Sequence, residues 1–330
     1  MTKIKAEYVW LDGTDDLPKL RSKTRIIESK GEAPEWGFDG GSTYQSVNEN
    51  SDLLLKPVRV YRDPFRGEDD VLIMCEVLKA DGNPHPTNTR EALLDMPIND
   101  APIFGFEQEY TMFASEMPIA WHTGKAPAPQ GDYYCGVGFG TVFGRNLVED
   151  HLTKCIDAGV DIYGVNAEVM PSQWEFQTTA NEPLKASDDL WIARYILERL
   201  GENYGCTISY NPKPLAGEWN GAGCHTNFST QPMREGWEAI ETAIERLRDR
   251  HEVHMLCYGA ENEKRLTGDC ETSDLTKFTV GERDRSCSIR IPASVAQDKK
   301  GYIEDRRPGA NIDPYRVCTR ILKSVCLDQD

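Results

Sequence analysis

Ile103-Phe-Gly-Phe-Glu-Gln-Glu-Tyr-Thr-Met-Phe113 sets two glutamates, Glu107 and Glu109, two residues apart inside a bulky apolar run. On a strand successive side chains point to opposite faces, so both carboxylates share one side. A solvated strand face is one reading. The bulk of Ile103, Phe104, Phe106, Tyr110 and Phe113 argues instead for a strand covered on both sides. Like charges held together under cover repel strongly unless a cation neutralises them. Asn166-Ala-Glu-Val-Met-Pro-Ser-Gln-Trp-Glu-Phe-Gln177 repeats the theme: Glu168 and Glu175 lie among Val169, Met170, Trp174 and Phe176, with a bend at Pro171. Buried carboxylates need partners, either arginines or a metal. Four such acids favour the metal.

Trp219-Asn-Gly-Ala-Gly-Cys-His-Thr-Asn227 adds His225, behind two glycines that let backbone approach something closely. His85, His122, His151, His251 and His254 lack that setting and read as structural. With Glu304, the set is five carboxylates and one imidazole, mostly hard oxygen donors, which suits Mg2+ or Mn2+ rather than Zn2+. Six protein ligands exceed what one Mg2+ takes, so two or more ions are expected.

Arginines cluster downstream, in Arg265-Leu-Thr-Gly268, Arg285-Ser-Cys-Ser-Ile-Arg290 and Glu304-Asp-Arg-Arg-Pro308. Guanidinium forks bind carboxylate and phosphate bidentately. Beside a divalent-metal site they make the pattern that phosphoryl transfer needs. No G-x-x-x-x-G-K-[ST] motif is present, since Gly124-Lys125 is followed by Ala126, and Gly138-Phe-Gly140-Thr-Val-Phe-Gly144 is one residue too long for G-x-G-x-x-G. Nucleotide would therefore be held through metals and arginines.

Alternation over residues 4–10 predicts a half-buried strand with Ile4, Ala6, Tyr8 and Trp10 on one side and Lys3, Lys5 and Glu7 on the other. Residues 58–61 and 71–75 read as further strands, and Asp39-Gly-Gly-Ser42 as a loop. Gly82-Asn-Pro-His-Pro86 reads as a linker. Beyond it, strands at 102–113 and 162–177 alternate with helices. These carry Leu147 to Ile156 (stopped at Gly159), Leu190 to Leu200 (with Ser187, Asp188 and Asp189 at its start), Trp237 to Leu247, and Val317 to Val325. The expectation is an α+β chain of two domains, 1–82 and 83–330. A net charge of −17 over 330 residues argues against nucleic acid and anionic membranes as partners. Ten scattered cysteines without C-x-x-C, no apolar leader and no membrane-spanning stretch suit a cytoplasmic protein.

Taken in order from Trp36-Gly-Phe-Asp-Gly-Gly-Ser-Thr43 to Gly301-Tyr-Ile-Glu-Asp-Arg-Arg-Pro308, these segments resemble glutamine synthetase, in its short type II form found in eukaryotes and some bacteria. The resemblance implies a β-grasp-like N-terminal domain, a catalytic domain on a curved antiparallel sheet flanked by helices, and ligation of ammonia to the γ-carboxylate of L-glutamate through γ-glutamyl phosphate. It implies ATP as co-substrate and a homo-oligomer with sites between subunits, a decamer of two pentameric rings. By motif, Glu109, Glu168 and Glu175 would hold one metal, and Glu107, His225 and Glu304 another. Asp39, reaching from an adjacent subunit, and Glu271, on a flap, would deprotonate ammonium. Asn220, Gly221, Arg265 and Arg306 would bind glutamate, Arg285 the transferring phosphate, and Arg290 the ATP phosphates, with Ser229 and Tyr302 around the nucleotide. The family's D-G-S-S stands here as Asp39-Gly40-Gly41-Ser42, and the 178–187 segment reads as a polar loop without glycine. A γ-glutamyl-amine ligase of the same fold and a catalytically silent metal-binding or assembly protein are the competing readings.

Overall fold

In the computed structural model, which describes residues 3–14, 17–28, 32–47, 50–123 and 127–330, the alternating N-terminal segment is strand β1 (Lys3–Leu11). From Ala6 onward both of its faces are covered, so the expected half-burial does not hold. Glu7 is buried, accepting hydrogen bonds from Thr24, from Arg66 Nη1 at 2.9 Å and from the Tyr195 hydroxyl at 3.3 Å. A helix of the second half supplies Tyr195 and closes the face that period-two reasoning assigned to water. The 124–126 segment, where the phosphate-loop pattern breaks off, and residues 1 and 2 lie outside the described residues.

Strands β2 (Leu20–Glu28), β3 (Trp36–Asp39), β4 (Asp52–Arg62) and β5 (Val71–Leu78) complete a five-stranded sheet ordered β2-β1-β5-β4-β3. β1 and β5 run parallel at its centre, and the other pairs are antiparallel. The sequence reading left out β2 and β3, the two edges. β2 carries Arg21, Lys23 and Arg25, and charge on an edge strand deters further pairing while hiding the apolar signal. One face of this sheet packs Ala6, Tyr8, Trp10, Phe38 and Leu55 into a small core of its own. The other face sends Val9, Leu11, Tyr61, Leu72 and Met74 into the main core.

After helix α1 (Thr89–Leu94) comes the second sheet. Its strands are β6 (Ile103–Ala114), β7 (Met117–Pro118), β8 (Ile162–Ala167), β9 (Gln173–Thr178), β10 (Thr207–Ser209), β11 (Cys224–Ser229), β12 (Val280–Glu282), β13 (Ile289–Ile291) and β14 (Ile303–Asp305). They run β12-β13-β14-β11-β6-β9-β8, with β7 and β10 also pairing to β6. The run expected at 162–177 is two strands, split where Pro171 bends the chain and Ser172 takes a left-handed φ of 76°.

Helices α2 (Arg145–Ala158), α3 (Pro183–Tyr204), α4 (Gln231–Glu235), α5 (Trp237–Asp249), α6 (His251–Met255), α7 (Ala293–Asp298) and α8 (Pro314–Val325) flank this sheet. α2 ends at Gly159 in the left-handed conformation, a glycine C-cap of the expected kind. α3 starts earlier than expected, because the Glu182 carboxylate accepts from the Leu184 and Lys185 amides and Pro183 takes the first turn. Residues 183–187 are therefore helix rather than loop, and Asp188 and Asp189 are buried inside it. Their burial is sustained by partners: Asp188 accepts from Arg59, Arg90 and the Tyr315 hydroxyl, and Asp189 from the Tyr61 hydroxyl and Lys185. Among the described residues no helix is long and apolar enough to cross a membrane.

Candidate active site

The strand that decides the fold also lays out the site. β6 lies between β11 and β9, and its register sets His225 opposite Glu107 and Glu175 opposite Glu109. One step further out, β14 sets Glu304 beside Asn227 and beside Arg290 of β13. Because faces alternate, all these polar side chains emerge on one side. Phe104, Phe106, Tyr110, Phe176 and Phe228 go to the other side, into the core.

On the polar face two groups of ligand atoms converge. Glu109, Glu168 and Glu175 bring one oxygen each within 4.8 Å of one another, and one oxygen each of Glu107 and Glu175 lies as close to a ring nitrogen of His225 and to one another. Glu175 belongs to both groups. Glu168, just past β8, is held by Asn166 Nδ2 at 2.9 Å. Glu109 accepts from the Gly223 amide at 2.7 Å. Burial raises the carboxyls of Glu109, Glu168 and Glu175 above the ordinary range, and neighbouring carboxylates push Glu168 and Glu175 further. His225 is driven the other way, well below the usual imidazole range, by burial and then by Arg306. A neutral imidazole beside carboxylates that resist ionising together is a donor set that a divalent cation satisfies.

Glu304, expected with Glu107 and His225, stands beside them and is also held by arginines. Its Oε1 lies 3.7 Å from His225 Nδ1, but the carboxylate is clamped by Arg306 Nη1 at 2.6 Å and Arg290 Nη1 at 2.5 Å. Glu175 also stands with Glu107 and His225. Arg265 is buried and already bonded, to the Arg306 carbonyl at 2.9 Å and to His225 Nε2 at 3.1 Å. It explains the glycines ahead of His225. A Cβ at Gly221 would stand 2.7 Å from Arg265 Cγ, and one at Gly223 would stand 2.5 Å from Arg265 Nη2. What the backbone approaches closely is this side chain, joined at Gly221 by the Pro212 carbonyl at 2.6 Å.

Glu271 lies on the rim, exposed, with its carbonyl 3.5 Å from Arg306 Nη2. Cys270 and Glu271 both hold left-handed backbone, at φ 52° and 61°, a strained pair for residues other than glycine. Arg285 is exposed between β12 and β13, near enough to His225 to help depress it. Asn220 is buried and accepts from Gln130 Nε2 at 2.5 Å, while the Gly221 carbonyl accepts from Gln173 Nε2 at 2.8 Å. Ser229 and Tyr302 line one cavity of about 310 Å3 with Tyr163, Asn227 and Arg234. Asn227 joins that cavity to the acids by donating to Glu107 Oε1 at 2.9 Å. Asp39 stands apart. It is exposed at the end of edge strand β3, accepting from the Gly41 amide at 3.0 Å and the Ser42 hydroxyl at 2.6 Å.

Sequence reasoning passed over Gln130, Tyr134, Gln173 and Asn227. The Tyr134 phenol is pushed up by burial and then by the nearby Glu168 carboxylate, with Arg285 and Glu175 also close enough to act on it. Asn227 and Gln173 were findable, each two residues from a chosen ligand on a strand and so on the same face. Gln130 and Tyr134 sit on a segment without periodicity, where no such signal exists.

The other histidines are accounted for structurally, apart from His122, whose side chain lies outside the described residues. His151 lies 2.9 Å from the Ala193 carbonyl, His251 2.8 Å from that of Leu275, and His254 between Tyr258 and Ser324. His85 meets the Thr87 hydroxyl.

Residues 3–80 match the sequence profile of the glutamine synthetase beta-grasp domain, and residues 91–241 that of the glutamine synthetase catalytic domain. A glutamine synthetase of Streptomyces hygroscopicus is 51% identical over 329 residues, covering 98% of this chain and 96% of the relative. One from Agaricus bisporus is 49% identical, covering 99% of this chain and 94% of its own. One from Mus musculus is 48% identical, at 99% and 91%. With both halves of the chain matched and the likeness running its whole length, the chain belongs to the glutamine synthetase family.

Proposed function

We propose that the chain joins ammonia to the γ-carboxylate of L-glutamate at the expense of ATP. The observation that carries this reading is the convergence of Glu107, Glu109, Glu168, Glu175 and His225 on one sheet face, bordered by arginines. Glu109, Glu168 and Glu175 would hold one divalent cation, Mg2+ or Mn2+, and Glu107 and His225 a second, with Glu304 joining once released from its arginines. When bound, the cations supply Lewis-acid charge that offsets the negative charge on the carboxylate and phosphates.

The chain's own groups do the rest. Asn220 and the Gly221 backbone would position glutamate near Arg306, whose second amino nitrogen faces the Glu271 carbonyl. Arg265, already committed to His225 and the Arg306 carbonyl, serves by positioning both. Arg285 and Arg290 would bind phosphate oxygens as the γ-phosphoryl passes from ATP to the γ-carboxylate, releasing ADP. Ammonia then attacks the acyl carbon and phosphate departs. Ammonium has no free lone pair, so a base must take its proton, and exposed Glu271 fits that duty. The 310 Å3 cavity of Ser229 and Tyr302 would receive the nucleotide's base and ribose.

Asp39 lies away from these groups, which supports an arrangement in which it completes the site of a neighbouring copy in a ring-shaped homo-oligomer. A domain boundary at residue 82 and a cytosolic location, consistent with ten free thiols, belong to the same reading.

Release of phosphate from ATP that requires glutamate, ammonium and Mg2+ or Mn2+ together is the direct test. Absence of that dependence in the purified oligomer would overturn the proposal. Turnover with small amines but none with ammonium would move it to a γ-glutamyl-amine ligase.

A further inference from the structure

Gln130 lies in an exposed turn ahead of α2, on left-handed backbone with φ 56°. Its Nε2 donates to Asn220 Oδ1 at 2.5 Å, to the Glu218 carbonyl at 3.2 Å and to Cys270 Sγ at 3.9 Å. An amide nitrogen has two hydrogens, so these three acceptors share it. The Cys270 thiol reaches the same Glu218 carbonyl at 3.8 Å. One side-chain amide thus gathers three segments: the turn before α2, the 218–221 stretch before β11, and the rim segment that carries Glu271. Left-handed backbone in a residue other than glycine is held by its surroundings, and both Gln130 and Cys270 adopt it.

A staple for the turn alone would need only the Glu218 carbonyl. The bond to Asn220 does more. Asn220 is 9% exposed, so its neighbours set which way its amide points. A carboxamide has one accepting end and one donating end, and a donor at Oδ1 fixes which is which. The Nδ2 end is then the one left for a carboxylate. From the opposite side, Gln173 Nε2 donates to the Gly221 carbonyl at 2.8 Å and to Glu109 Oε2 at 3.4 Å. Two glutamines therefore grip the Asn220–Gly221 unit, and neither belongs to the carboxylate and imidazole donor set.

We propose that Gln130 is a positioning residue for the amino-acid substrate. It locks the Asn220 amide with its donating end toward the α-carboxylate of glutamate, and through Cys270 it ties the Glu271 segment to the same point. The identity of the amino acid rests on the ligase reading.

The test is calorimetric titration of the assembled full-length protein with L-glutamate, in Mg2+ and the non-hydrolysable β,γ-imido analogue of ATP. It compares wild type with Gln130→Met, Asn220→Ala and the double variant. Gln130→Met keeps the length of the side chain and removes only the donor. It should weaken glutamate about tenfold, the scale of one lost hydrogen bond. Affinity for the ATP analogue should change by less than about twofold, and in steady state KM for glutamate should rise without KM for ATP. Because Gln130 acts through Asn220, adding Gln130→Met to Asn220→Ala should change glutamate affinity by less than about twofold. Thermal unfolding curves verify that the variants fold. Undiminished glutamate binding by folded Gln130→Met overturns the proposal. So do penalties that add in the double variant, or equal weakening of the ATP analogue, since either reduces Gln130 to a structural staple. No saturable glutamate binding by wild type overturns this proposal and the ligase reading together, whereas the other outcomes leave the ligase reading standing.

Discussion

Glu271 holds its carboxylate at the rim of the site on strained, left-handed backbone, whereas Glu168 lies in a group of three carboxylates behind it. Their removal should therefore separate two halves of the reaction. Glu271→Ala takes away a base needed only for ammonium, and amide formation should fall by ~10² to 10⁴-fold. Acyl-phosphate formation, read as glutamate-dependent ADP release before ammonium is added, should survive. Glu168→Ala should abolish both. A parallel fall of the two rates in Glu271→Ala would remove the base assignment. At this scale the acids, the histidine and the arginines were legible in the sequence, because buried-looking runs make charged residues conspicuous. What was not legible is how they pair. The sequence cannot say that Glu304 is clamped by Arg290 and Arg306, since those contacts join β13, β14 and the residue just after β14.

Among the elements, α3 decides how the two sheets are joined. Asp188 within it accepts from Arg59 of β4, from Arg90 of α1 and from Tyr315 of α8, so one buried carboxylate ties three other elements together. The Arg90 side chain is only 9% exposed and that of Asp188 is fully covered. Asp188→Ala leaves the buried guanidinium with Glu76 alone and should destabilise the fold by about 3–5 kcal/mol. Asp188→Asn, which keeps hydrogen-bonding capacity, should cost less. Urea unfolding monitored by tryptophan fluorescence measures both. A midpoint unchanged in Asp188→Ala would mean that the seam is held by apolar packing alone. The sequence placed this acid at a helix start, where Asp is favoured. That reading failed because Glu182 and Pro183 begin the helix a turn sooner, and because burial of a charge depends on partners distant in sequence.

For the whole molecule, the location of Asp39 matters most. It is exposed on the N-terminal sheet, bonded within its own loop, while every other proposed base or ligand lies on or beside the second sheet. If a neighbour's site receives it, Asp39→Ala and Glu168→Ala damage different sites of the ring. Each variant alone should be nearly inactive. Oligomers assembled from equal amounts of the two should recover activity, approaching about a quarter of wild type for random mixing around a ring. Coexpression with two affinity tags isolates the mixed oligomers, and their specific activity gives the answer. Mixed oligomers no more active than either parent would return Asp39 to a structural role.

The sequence by itself determined the fold class and the strand whose two acids share one face. Period-two spacing puts Glu107 and Glu109 on one face, glycines mark a close approach, and carboxylates with a single imidazole select a hard cation. These are properties of residues and their near neighbours, so they are written in the chain. Only the tertiary structure decided which acid stands with which, because strand register brings Glu175 to Glu109 and His225 to Glu107 across gaps of many residues. It also covered the second face of β1 with α3 and brought Gln130 to Asn220. Register and packing depend on the summed contacts of segments far apart in sequence, and no local pattern encodes that sum.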